Sequence, residues 1–73
     1  EGLLRRLKAL RLRLAQQAGI PAFMVFSNAT LEDMAAKAPR TMTAFLDVSG
    51  VGEAKAERYG DAFLELIREA LPE

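Results

Sequence analysis

The chain has no cysteine and no histidine among its 73 residues. The first absence excludes a disulfide framework and a thiolate metal site, and suits a reducing compartment. The second removes the commonest general base and metal ligand. The longest apolar runs fall far short of a membrane span and no secretory leader pattern is visible, so a soluble, intracellular, cytoplasmic protein is expected, with no membrane partner. A chain this short has room for one domain only, near the size at which an unaided core still suffices. It begins Glu1-Gly2 without Met, and residues 1–73 are therefore expected to be a single module of a longer protein.

Net charge is also lacking, but the zero hides a division. Residues 1–40 hold seven cations (Arg5, Arg6, Lys8, Arg11, Arg13, Lys37, Arg40) against three acids, whereas residues 41–73 hold seven acids against three cations (Lys55, Arg58, Arg68). That polarity bears on partners rather than on fold.

What is present is helical periodicity throughout. Leu3, Leu4, Leu7, Leu10, Leu14 and Ala18 share one arc of a helix expected over Gly2–Ala18 and stopped by Gly19. Arg11 falls inside that arc and needs carbonyls or a carboxylate for its head; Asp33 and Asp47 are the acids considered. Arg5, Arg6, Lys8 and Arg13 lie on the opposite side, where they either track phosphates or form a solvated face. Leu12 sits among them and is either an isolated exposed leucine or an anchor for a partner.

Pro21 prevents a simple continuation of the first helix, and the apolar run Ile20–Phe26 is expected to cross the core as a short turn or extended segment. Val25 and Phe26 are expected to be buried. Phe23, nearest the proline, is the aromatic expected to stay exposed, where it can stack on an unpaired base. Ser27 or Asn28 caps a second helix that buries Leu31, Met34 and Ala35 and ends near Ala38, ahead of Pro39. Thr41 or Thr43 caps a short third helix through Asp47, turning Phe45, Leu46 and Val48 inward.

Val48-Ser49-Gly50-Val51-Gly52 then joins two helical segments in the manner of a helix-hairpin-helix. Gly50 is expected in the left-handed region, Gly52 opens the next helix, and Val51 fastens the joint. The free N–H groups at such a helix start suit a phosphate, with Lys55 the cation best placed to assist; a purely structural turn is the other reading. Gly60 is expected to separate a fourth helix from a fifth, which carries Phe63, Leu64, Ile67, Ala70 and Leu71 on one face and stops at Pro72. Glu53, Glu57, Asp61, Glu65 and Glu69 recur every fourth residue. They form an acidic ridge that is either solvated or docks on a basic protein surface, and Glu53 guards the anion site. Nothing assembles a catalytic site: the hydroxyls have no histidine to activate them, and one ridge does not converge on a pocket or a metal.

Taken together, Leu7-x-x-Leu10-Arg11, Pro21-Ala22-Phe23-Met24-Val25-Phe26, Ser27-Asn28-Ala29-Thr30-Leu31, Pro39 and Gly50-Val51-Gly52-x-x-Lys55-x-x-x-Tyr59-Gly60 resemble, in order and spacing, the HRDC domain. This is the helicase and RNase D C-terminal module of RecQ-type helicases and of RNase D. The resemblance implies an all-α bundle of about five helices and a non-catalytic role, binding single-stranded or branched DNA weakly and adjusting which substrates a RecQ-like helicase engages. It implies no cofactor for the domain itself, and ATP and Mg for a helicase parent; an RNase D-like parent is the alternative. Carried over by position, Phe23 and Lys55 are the leading DNA contacts, with Gly50, Gly52, Arg58, Arg5 and Lys8 as further candidates. Leu12, Glu53, Glu57, Asp61, Glu65 and Glu69 are candidates for docking on the helicase core or a sibling domain. Phe23 stands where the family often has tyrosine, Asn28 where aspartate is common, and Glu53-Ala54 where a strong DNA binder would carry basic groups.

Overall fold

The computed structural model describes residues 2–72; Glu1 and Glu73, counted in the charge division above, lie outside them. Helix α1 spans Gly2–Ala18, a 3-10 turn follows at Ala22–Met24, and α2, α3 and α4 span Asn28–Lys37, Met42–Leu46 and Glu53–Ala70. No strand occurs among the described residues.

Each boundary has a local cause. Gly19 takes φ 71° and Ile20 donates back to the Ala15 carbonyl at 3.0 Å, the left-handed closure that ends many helices. Ser27, not Asn28, caps α2 by accepting from the Thr30 N–H at 3.1 Å. Thr41, not Thr43, caps α3 by accepting from Ala44 at 3.2 Å. These caps are worth about 1 kcal/mol each. α2 stops at Lys37 because Ala38, ahead of Pro39, turns left-handed at φ 46°.

The fourth and fifth helices expected from the sequence are one. Gly60 does not break α4; it is buried in the middle of it, where a Cβ would stand 2.8 Å from Met42 Cε and 3.6 Å from Phe45 Cδ2. Glycine costs a helix about 1 kcal/mol relative to alanine. Here that cost allows α3 to lie close against α4, and the long helix keeps its hydrogen bonds unbroken.

The core gathers Leu7, Leu10 and Ala15 from α1, Val25 and Phe26 after the 3-10 turn, Leu31 and Met34 from α2, Phe45 and Val48 around α3, and Ala56, Tyr59, Phe63, Leu64 and Ile67 from α4. Phe26 is its hub. Its ring meets Phe63, Tyr59 and Phe45 edge-on at centroid separations of 5.3, 6.0 and 6.1 Å, contacts worth about 0.5–1.5 kcal/mol each beyond area burial. Three expected core positions are not core. Ala18 is exposed at the last turn of α1, with Ala15 buried in its stead. Leu46 is exposed because α3 has five residues and only the Phe45 side of it faces inward. Leu71 is exposed because it has already left the helix as its C-terminal cap.

Candidate nucleic-acid interface

The hairpin is a β-turn closed by Val51 N–H donating to the Val48 carbonyl at 3.1 Å. Gly50 takes the third position at φ 88°, where this class of turn demands a positive φ. A side chain is excluded there twice over, because a Cβ on Gly50 would also overlap Thr30 Oγ1 of α2. Val51 packs against the core as expected, half-buried.

The turn is tied down by charge. Ser49 N–H donates to Asp33 Oδ2 at 2.8 Å, Lys37 Nζ lies 3.0 Å from the same oxygen, and Lys37 also donates to the Asp47 carbonyl at 3.0 Å. The Ser49 N–H, and after it the Lys37 ammonium, holds the Asp33 carboxyl below the usual carboxylate range. One hairpin N–H is therefore occupied by an internal carboxylate and closed to a phosphate. Sequence reasoning considered Asp33 as a partner for Arg11 and missed this role. The Asp33–Lys37 spacing of four was a visible signal; the link to Ser49, sixteen residues away, had none.

At Gly52 the helix start has no side chain to cap it, and the first intrahelical bond runs from Ala56 N–H to the Gly52 carbonyl at 2.9 Å. The N–H groups of Glu53, Ala54 and Lys55 therefore precede the helical ladder. Glu53 is exposed in that first turn, as expected. Lys55 folds its stem over the bundle and sets Nζ 5.9 Å from the centroid of the Phe26 ring, an attraction of about 0.5–1 kcal/mol at a partly exposed site. Arg58 is exposed one turn further on.

The 3-10 turn lies just ahead of Phe26 in the chain. Met24 N–H donates to the Pro21 carbonyl and Val25 N–H to that of Ala22, both at 3.0 Å, so the turn is fixed by its own backbone and anchored by the two buried residues that follow. On it Phe23 is 69% exposed, the one exposed aromatic among the described residues, with Met24 next in the chain at 49%. The hairpin cation thus reaches the ring of Phe26, the residue three positions along the chain from the exposed Phe23. Arg11 completes the arrangement: its Nη1 donates to the Phe26 carbonyl at 3.0 Å. Its partner is that carbonyl and not Asp33, which serves the hairpin, because Phe26 crosses directly over the inward side of α1.

The basic side of α1 is two surfaces. Arg6 and Arg13 border a groove against α4, whereas Arg5, Lys8 and Leu12 occupy the opposite flank, all exposed. On α4 the absence of a break makes Glu53, Glu57, Asp61, Glu65 and Glu69 one exposed line that winds around a single helix. Among the described residues no group of three or more His, Cys, Asp or Glu side chains is placed to hold a metal, and no helix is long and apolar enough to cross a membrane.

The family model for the HRDC domain matches residues 1–67. The chain belongs to the HRDC family. A solved structure described as HRDC domain 3 of RecQ from D. radiodurans superimposes with a TM-score of 0.92 at 42% identity, over 97% of this chain and 93% of that one. Among curated relatives, the ATP-dependent DNA helicase RecQ of Haemophilus influenzae is 42% identical over 64 residues, 88% of this chain and 10% of that protein. RecQ of Bacillus subtilis is 41% identical over 66 residues, 90% and 11% respectively. The ATP-dependent DNA helicase UvrD2 of Mycobacterium bovis is 38% identical over 68 residues, 93% and 10%. This HRDC chain spans about a tenth of the length of the helicases it matches. Its fold is the all-helical bundle expected, with four helices and a 3-10 turn in place of five helices.

Proposed function

We propose that this HRDC domain is a non-catalytic accessory module of a RecQ-like DNA helicase, binding single-stranded or branched DNA weakly and adjusting which substrates the motor engages. ATP and Mg belong to that motor, outside this domain; the relatives' names favour a helicase parent over an RNase D-like one. The observation that carries the reading is Phe23, a large aromatic held 69% exposed on a hydrogen-bonded turn. An exposed phenylalanine on an ordered backbone loses little entropy on stacking against an unpaired base, a contact worth about 1–3 kcal/mol. Lys55 and Arg58 supply phosphate contacts from α4, and Arg5 and Lys8 from α1. Gly50 and Gly52 shape the hairpin rather than bind strongly, since Asp33 takes the Ser49 N–H and Glu53 repels phosphate at the helix start.

Weakness follows from that electrostatic balance. A salt titration of a labelled oligonucleotide tests it: with about four phosphate contacts on a single strand, log K should fall with log salt at a slope of about −3. Nanomolar affinity at physiological salt would show that the acidic ridge has been overrated.

A second reading is favoured by the continuity of α4: its unbroken acidic line docks on a basic surface of the helicase core or of a sibling domain, with Leu12 as a separate apolar anchor. Reversing Glu57 and Glu65 to Lys would then disturb regulation of the full-length helicase and leave the isolated fold intact. An unchanged enzyme would remove that reading.

A further inference from the structure

α1 and α4 do not close on each other along their whole length. Between them runs a groove of about 460 Å³ lined by Arg6, Ala9, Leu10, Arg13, Ala62, Glu65, Leu66 and Glu69. Its floor is apolar and low, because alanines stand at two of its positions. One rim carries Arg6 and Arg13, two turns apart on α1, and the other carries Glu65 and Glu69, one turn apart on α4. The rims do not pair with each other: the ion pair seen among the described residues is Lys37–Asp33, elsewhere in the fold. Four charged side chains of two signs therefore flank an apolar strip and leave their charges open.

We propose that this groove is a docking site for an amphipathic helix of a protein partner, whose apolar seam lies on Ala9, Ala62 and the half-buried Leu66. Its acidic flank faces Arg6 and Arg13, and its basic flank faces Glu65 and Glu69. The chemistry of the rims selects that occupant. A nucleic-acid strand gains from one rim but brings its phosphates against Glu65 and Glu69, and a helix of uniform charge meets repulsion on one side. A helix of mixed flanks is complemented on both, in the way that flanking charges choose partners in coiled coils. The small residues Ala9 and Ala62 let its backbone approach closely, and Leu66 adds apolar area above the buried Leu10. The inference rests on the protein-docking reading for Glu65 and adds the opposing basic rim; it is independent of Phe23 and of DNA.

The test uses three synthetic helical peptides with the same Leu/Ala seam, carrying Glu on one flank and Lys on the other, Lys on both, or Glu on both. Binding is followed by fluorescence anisotropy with the full 73-residue chain. The mixed peptide is expected to bind about tenfold tighter than either uniform one. Glu65→Lys with Glu69→Lys should move the preference to the all-Glu peptide, and Arg6→Glu with Arg13→Glu to the all-Lys peptide. Phe23→Ala should change none of the three. Equal affinities, no binding by any peptide, or a preference that ignores reversal of the rims in variants with unchanged circular dichroism would overturn the proposal. An acidic ridge that still regulates the helicase while these peptides fail would leave the docking reading standing and remove the groove alone.

Discussion

Arg11 donates through Nη1 to the carbonyl oxygen of Phe26 at 3.0 Å, joining the middle of α1 to the residue on which the aromatic core converges. The guanidinium satisfies a carbonyl that the chain crossing cannot pair with another strand or helix. A hydrogen bond to a charged donor contributes about 1.5–3 kcal/mol, reduced here because Arg11 Nε is buried without a partner. Arg11→Ala should therefore cost about 1–2 kcal/mol, read as a shift of the urea midpoint at constant m-value. Arg11→Lys should recover less than half of it, since an ammonium is harder to desolvate and cannot reproduce the planar geometry. A lysine variant as stable as the parent would show that charge alone matters at this site.

The two glycines of the hairpin should behave differently. Gly50→Ala meets both the positive φ and Thr30 Oγ1, and is expected to destabilise by more than about 2 kcal/mol. Adding Thr30→Ala should return the steric part and leave about 1 kcal/mol of backbone strain, a coupling that a double-mutant cycle measures directly. Gly52 has φ −100° and nothing within 4 Å of a would-be Cβ. Gly52→Ser should stabilise α4 by a few tenths of a kcal/mol up to about 1, by supplying the cap that glycine lacks.

These positions also show what was legible beforehand. The helix periods, the caps to within two candidates each, the exposure of Phe23 and the turn at Gly50 follow from local rules, and local rules can be read along a sequence. Gly60 was misread because propensity sees only the cost of glycine in a helix. The compensating contact with Met42 lies eighteen residues away, and only the folded chain brings it there. Arg11 announced that it needed a partner, but its choice of the Phe26 carbonyl over Asp33 depended on where the chain crosses α1. The groove between α1 and α4 had no sequence signal, because its two rims come from opposite ends of the chain.

Asp33 gives the fold a defined acid response. Its folded-state pKa is lowered by the Ser49 N–H and by Lys37, so the unfolded chain binds more protons in the window between the two pKa values. The stabilisation is fully present above the ordinary unfolded value of about 3.9, and is lost as pH falls through the folded value. Asp33→Asn should accordingly be less stable than the parent at neutral pH, and the difference should shrink on acidification. Urea midpoints measured from neutral to strongly acid pH check this; a constant difference would mean that the hairpin tether does not depend on the carboxylate charge.

In the proposed reading, Phe23 and Lys55 both contact DNA. Its most direct test is the affinity of the isolated domain for a fluorescent single-stranded oligonucleotide at physiological salt, for the parent chain, Phe23→Ala and Lys55→Ala. The parent should bind in the micromolar range or weaker. Phe23→Ala should lose about tenfold or more, the worth of one stacked base. Lys55→Ala should weaken binding and make the salt slope shallower by about 0.7, the share of one phosphate contact on a single strand. Parent-like affinity and salt slope in both variants, with the fold intact by circular dichroism, would contradict the account and take DNA binding away from both residues.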